Sequence, residues 1–230
     1  MRIAHCGLGI ADGKCKYQDA AYLALVEKFQ PAKLSPYVFE FKAGDFENAQ
    51  AVAIAADRVL DLLVPDMERL EGRIERAGSD DERAMLARCL AHLESGHPLC
   101  DLELDDAARA TVRTFGLLSL KPTAVLADAS ADASAVCAAV IRKAGMMFFF
   151  TVGKPEVHAW LVERNADAVT CAGRIHTDLA RGFIKAEIFR FEDILAAHSV
   201  QDARSRGLVR LVDRDVPVPP DSILEIRFKV

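Results

Sequence analysis

Phe149-Phe150-Thr151-Val152-Gly153 and, just beyond it, Glu156-Val157-His158-Ala159-Trp160 open the part of the chain whose reading decides the fold. Further on stand Ala172-Gly173-Arg174-Ile175-His176-Thr177-Asp178 and Arg181-Gly182-Phe183-Ile184-Lys185-Ala186-Glu187. The chain closes on Asp221-Ser222-Ile223-Leu224-Glu225-Ile226-Arg227-Phe228-Lys229-Val230. β-Branched and aromatic runs bounded by turn residues read as strands, here over Val157–Val162, Phe183–Arg190 and Ile223–Val230. A helix is expected near Glu192–Ala197. Residues 148–230 therefore read as a compact α+β unit with its own core, and the domain boundary is placed near residue 147. Met146, Met147 and Phe148–Phe150 read as a buried connection, and Trp160 as core.

Outward from that boundary the texture is different. Asp19 is set to cap a helix over Ala20–Phe29, which Pro31 stops. Tyr37-Val38-Phe39-Glu40-Phe41 reads as a strand. From about Phe46 to Arg76, Val52, Val59, Leu62, Leu63, Met67, Leu70 and Ile74 recur at helical spacing with charges between. Gly78-Ser79-Asp80-Asp81 breaks that helix, and Ser79 or Asp80 followed by Glu82 reads as a capped restart. Met85, Leu86, Cys89, Leu90 and Leu93 carry the return helix to Ser95-Gly96-His97-Pro98. The two form an antiparallel hairpin over about 48–96. A helix over Asp105–Leu118, a buried strand over Thr123–Ala127 and a helix over 133–144 follow.

Composition limits the function. The chain has 230 residues, 51% hydrophobic and 27% charged, which suits a globular protein and not a disordered one. No apolar run reaches the ~20 residues of a membrane helix, and the start, Met1-Arg2-Ile3-Ala4-His5-Cys6, lacks the apolar stretch of a signal peptide. A cytoplasmic protein without a membrane partner is expected. Six scattered cysteines read as reduced thiols. Residues 148–230 hold 12 basic and 12 acidic residues, so the whole net charge of −5 lies in residues 1–147. A broad basic footprint for nucleic acid is thus absent, and any RNA contact needs a local patch.

The motifs of the C-terminal region resemble the TGS domain of YchF-type (Obg-like) ATPases, whose pattern runs roughly FFT-G-x-x-E-V-x-A-W, A-G-x-I-H-[TS]-D and G-F-I-x-A-E. One departure is Leu208–Pro220, where Val216-Pro217-Val218-Pro219-Pro220 replaces a more ordinary strand and turn. Earlier pieces are similar to the same family. Asp19–Pro31 with Phe39-Glu40-Phe41 resembles the stretch between its switch regions, residues 57–95 its helical hairpin, Arg113–Ala127 the approach to its base-reading motif, and Val136–Val140 a later segment. The resemblance implies an α/β remnant of a P-loop-like G domain carrying the hairpin (1–147), followed by an α+β β-grasp TGS domain (148–230).

The nucleotide motifs of that family do not carry over. A P-loop reads G-x-x-x-x-G-K-[ST], because backbone N–H groups, a Lys and a hydroxyl cradle phosphate and Mg²⁺. Gly7 to Gly13-Lys14-Cys15 has five residues between the glycines and a thiol for the hydroxyl. Where D-x-x-G is due the chain has Phe41-Lys42-Ala43-Gly44-Asp45, and where N-x-x-E is due it has Asp128-Ala129-Ser130-Ala131. The reading is a non-catalytic binding or regulatory module with no catalytic residues and no cofactor. The alternative is a divergent ATPase or GTPase that binds ATP or GTP with Mg through Lys14 or a rebuilt site.

The resemblance implies ribosome or RNA association through the TGS domain, with Arg174, His176, Arg181 and Lys185 as the contact group. A further alternative is a protein-interaction scaffold that uses the hairpin. Cys89, His92, His97 and Cys100 have zinc-competent types at close spacing, but Cys89 lies on the apolar helix stripe, so no metal is expected.

Overall fold

The computed structural model describes residues 1–229. In chain order it runs β1 (Arg2–Cys6), β2 (Gly13–Tyr17), α1 (Ala20–Phe29), β3 (Lys33–Ser35), β4 (Tyr37–Ala43) and β5 (Ala51–Ala55). Then come α2 (Leu60–Ile74), α3 (Asp80–Glu94), α4 (Asp106–Arg113), β6 (Thr123–Leu126) and α5 (Ala133–Lys143). The remainder is β7 (Met146–Val152), β8 (Glu156–Glu163), α6 (Ala168–Ile175), α7 (Thr177–Arg181), β9 (Phe183–Phe189), α8 (Phe191–Ala196), α9 (Val200–Ser205), β10 (Val209–Val212) and β11 (Ile223–Phe228). Val230, where the last expected strand ends, lies outside the described residues.

Two compact units share these elements. One comprises Met1–Cys15 and Phe39–Ala144; the other comprises Lys16–Val38 and the chain from Gly145 onward. The architecture is of the expected class, an α/β P-loop-like region with helical elements followed by a mixed α+β region.

In the first unit the strands lie in the order β2-β4-β1-β5-β6. β1 runs parallel to β4 and β5, and β5 parallel to β6. A parallel sheet covered on both faces needs strands that are apolar throughout, and every residue of β5, Ala51-Val52-Ala53-Ile54-Ala55, is buried. This corrects the helix expected from Phe46: Val52 fits a helical spacing only by coincidence, and the helix begins at Leu60. α2 and α3 form the hairpin, burying Leu62, Leu63 and Leu70 with Leu86, Cys89 and Leu93. Ser79 caps α3, its side chain accepting from the Glu82 N–H at 3.1 Å. Asp66, fully buried on α2, ties the hairpin to the segment ahead of β6: it accepts from Leu118 N (2.9 Å), Ser119 N (2.7 Å) and Ser119 Oγ (2.7 Å).

In the second unit six strands lie in the order β10-β9-β11-β7-β8-β3. Phe148–Phe150, read as a connection, belong to β7, which pairs with β8 over its whole length and with β11. β8 alternates: Val157, Ala159 and Leu161 are buried, while the ring of His158 stacks on Trp160 with centroids 3.7 Å apart. α1 buries Tyr22 and Leu25 and is capped by Asp19, whose carboxylate accepts from the Tyr22 N–H at 2.8 Å. α6 lies over a second cluster that includes Met147, Phe149, Cys171, Ile188 and Leu224.

Two motif residues acquire physical reasons here. A Cβ on Gly182 would stand 2.2 Å from the Lys229 carbonyl oxygen, so no other residue fits between β9 and the end of β11. Glu187, 3% exposed, binds the guanidiniums of Arg204 (2.6 Å) and Arg227. Burial alone would raise the Glu187 carboxyl; the two guanidiniums outweigh it and hold the group below the ordinary carboxylate range.

Candidate functional site

Ligands of open parallel sheets bind outside the carboxyl ends of the strands, where the connections diverge. In the first unit that edge lies beyond Cys6, Ala43, Ala55 and Leu126, the last residues of β1, β4, β5 and β6. Residues 7–12 join β1 to β2 directly, with no helix between them. Gly7 turns the chain at φ +70°, and a Cβ there would meet the Arg58 side chain at 2.7 Å.

The loop is held by its own groups. Asp12 accepts from Lys42 Nζ at 2.8 Å and from the Ala43 N–H at 2.7 Å, and lies 3.0 Å from His5 Nε2. Lys42 first, then the Ala43 N–H and His5, hold the Asp12 carboxyl down at about 2, and Asp12 in turn raises Lys42. Gly9 N donates to Ala129 O at 2.9 Å, which fastens the loop to the turn after β6. In that turn Asp128 accepts from Ser130 N (2.8 Å) and Ser130 Oγ (2.6 Å), which lower its carboxyl. On the β5 side Arg58 pairs with Asp61 at 2.5 Å, and Cys6 Sγ stands 3.5 Å from the same carboxylate. Burial, then Asp61, pushes the Cys6 thiol up.

This edge differs from a phosphate cradle of the usual kind. The Gly9 amide is committed to Ala129 O and the Ala43 amide to Asp12. Lys42 and Arg58 are each held by an aspartate. Lys14, exposed at the start of β2, has no such partner among the described residues. The residues present therefore do not reproduce that cradle.

Two members of the expected contact group of the second unit are charge-compensated. Arg181 pairs with Asp178 at 2.8 Å and Lys185 with Asp213 at 2.5 Å. His176 caps the five-residue α7, its Nδ1 accepting from the Asp178 N–H at 3.2 Å. Arg174, on the last turn of α6, is exposed. The four zinc-competent side chains have other surroundings. Cys89 lies in the apolar cluster and His92 Nε2 is 3.1 Å from Pro98 O; among the described residues no three metal-ligating side chains converge.

Sequence reasoning missed Asp12, which lies inside the stretch judged only against P-loop spacing. It also missed a cleft of about 950 Å³ in the second unit, lined from Asp19, the cap of α1, to Ser222 before β11. Only the fold brings those residues together.

Residues 146–229 match the family model YchF-GTPase_C, described as a protein of unknown function (DUF933). A protein of Escherichia coli O157:H7 named "Ribosome-binding ATPase YchF" is 27% identical over 233 residues, covering 74% of this chain and 64% of that protein. The Bacillus subtilis protein of the same name is 27% identical over 237 residues, 74% of this chain and 65% of its own length. That of Mycoplasma genitalium is 35% identical over 95 residues, 41% of this chain and 26% of its own length. The solved Schizosaccharomyces pombe YchF GTPase superposes with a TM-score of 0.76 at 14% identity, covering 95% of this chain and 88% of that one, which shows a shared fold. The chain thus spans about 64% of the length of the first curated relatives it matches. The chain is similar to proteins named YchF over 74% of its length, and residues 146–229 carry the domain of the matching family model.

They also correct the expectation of a non-catalytic, cofactor-free module. The curated relatives are named as ATPases, and three altered motifs do not by themselves exclude nucleotide binding. Phosphates in such folds are held largely by backbone N–H groups at strand and helix ends, which motif letters encode only indirectly.

Proposed function

We propose that this chain is a divergent, ribosome-associated, nucleotide-binding protein of the YchF ATPase kind, cytoplasmic, with a shortened G domain. The observation that supports nucleotide binding is the sheet order β2-β4-β1-β5-β6, whose parallel strands bring four carboxyl ends to one edge around the 7–12 loop. Similarity to ribosome-binding ATPases over 74% of the chain supports the same reading. On this proposal Lys14 is the available cation for a triphosphate, and the rest of the contact is built differently from a P-loop, since the Gly9, Ser130 and Ala131 amides are already bonded within the edge. The second unit provides the ribosome contact, with Arg174, His176, Arg181 and Lys185 as the group offered to RNA.

Calorimetric titration with ATP or GTP and Mg²⁺ tests the first half. The expected result is a micromolar dissociation constant, about 8 kcal/mol of binding, weakened in Lys14→Ala. Heats indistinguishable from dilution end the nucleotide reading. Co-sedimentation with ribosomes over a salt series tests the second half, since each phosphate contact makes affinity fall with salt. Binding that is undetectable at low salt ends the ribosome reading. Equal binding by wild type and an Arg174→Ala, Arg181→Ala, Lys185→Ala variant removes the contact group alone.

A further inference from the structure

The cleft of the second unit has walls of three kinds. Ala20 and Ala24 of α1 face it from one side, Leu208 and Val209 from another, and Pro219-Pro220 close the third. Lys28 Nζ, donating to Leu195 O at 3.1 Å and Ala197 O at 2.5 Å, fixes α1 to the end of α8, so the walls are held apart by bonded structure. Val209 and Arg210 begin β10, which ends the sheet; its outer edge has no strand partner among the described residues. An unpaired edge presents backbone N–H and C=O groups that an extended chain can bond.

The charges of the cleft are unbalanced. Four carboxylates line it, on Asp19, Glu192, Asp193 and Asp221, against the guanidiniums of Arg190 and Arg210. Arg190 is only 3.8 Å from Glu192 and so is already partly compensated. Asp221 sits in the left-handed region at φ +58°. Burial first, then the nearby charges of Asp19 and Glu192, raise its carboxyl above the ordinary range. A cation entering the cleft relieves that like-charge crowding, whereas an RNA phosphate would meet it. Leu208–Pro220, the stretch that departs from the family pattern, supplies two of the walls.

We propose that this cleft receives an extended, lysine- and arginine-rich segment of a protein partner, its backbone laid along the outer edge of β10 and its cations against Glu192, Asp193 and Asp221. The inference deepens the ribosome-association reading and rests on it for the source of the segment, a basic protein tail and not RNA.

The probes are a labelled (Lys-Val)₄ octapeptide, its (Glu-Val)₄ counterpart and octa-uridylate, measured by fluorescence anisotropy on the full chain. The lysine peptide is expected to bind, with affinity falling as salt rises. A Glu192→Gln, Asp193→Asn, Asp221→Asn variant should bind it at least about tenfold more weakly. Asn is chosen at 221 because it tolerates the left-handed backbone. Ala24→Lys, a good helix former that places a cation in the cleft, should weaken binding as much without removing any acid. The proposal is overturned if both variants bind the lysine peptide like wild type, or if octa-uridylate or the glutamate peptide binds in a way these substitutions abolish. Ribosome co-sedimentation of the same variants separates the two readings. If wild type pellets and the cleft variants pellet equally, the cleft inference falls and the ribosome reading stands. If wild type fails to pellet, the ribosome reading falls and the peptide titration decides the cleft.

Discussion

Glu187 in the second unit and Asp12 in the first are both carboxylates held by cations, and they differ in what surrounds them. Glu187 is 3% exposed and clamped by two guanidiniums; the Asp12 side chain is 40% exposed and held by Lys42, a backbone N–H and His5. A buried carboxylate that loses a partner keeps its desolvation cost, whereas an exposed one exchanges the partner for water. The same ion-pair chemistry therefore serves stability in the six-stranded unit and only loop placement at the carboxyl edge of the five-stranded one.

If burial is the deciding factor, the largest loss should come from a buried carboxylate in the first unit as well. Asp66→Ala strands two amides and a hydroxyl, and is expected to cost about 4 kcal/mol of stability in urea unfolding; a loss below about 1 kcal/mol would break the comparison. Arg204→Ala leaves Glu187 with Arg227 alone and should cost about 3 kcal/mol. Its pH dependence sharpens the point. Glu187 titrates below its ordinary value in the fold, so its contribution is complete above the unfolded pKa of about 4.5 and is lost as pH falls through the folded value. Acid unfolding of wild type and Arg204→Ala should accordingly converge at low pH. Ser79→Ala removes one cap and should cost about 1 kcal/mol.

The smallest effect belongs to the exposed edge. Lys42→Ala should leave the thermal midpoint unchanged while the Asp12 carboxyl, followed by NMR, moves from about 2 toward 3.8. A clear drop in thermal stability would mean that the edge network carries structural load after all.

What could be read from the sequence follows the same division between local and assembled features. Caps at Asp19 and Ser79 were legible because the capping residue and the amide it accepts from are three positions apart. β8, β9 and β11 were legible because their composition and bounding turns are local, whereas β7 passed for a buried connection and β10 was not read as a strand. β5 was not, since five apolar residues buried on both faces have no period to distinguish strand from helix. Of the candidate sites, the four residues Arg174, His176, Arg181 and Lys185 were legible as charges, but the pairing of Arg181 with Asp178 and of Lys185 with Asp213 was not. Asp12 was hidden because its partner Lys42 lies thirty positions away. The cleft was hidden because its carboxylates come from both ends of the chain, at Asp19 and at Asp221.

The assignment of α1 and β3 to the second unit sets a timetable for synthesis. These elements leave the ribosome early, yet β3 pairs with β8 and α1 covers the sheet that β7 and β8 build. Translating residues 39–144 takes roughly 5–20 s at 5–20 residues per second. For that interval Tyr22 and Leu25, fully buried in the finished fold, have no sheet to cover them. Nascent chains stalled before Met146 should therefore be cut by protease within Lys16–Val38, and chains released after β11 should resist.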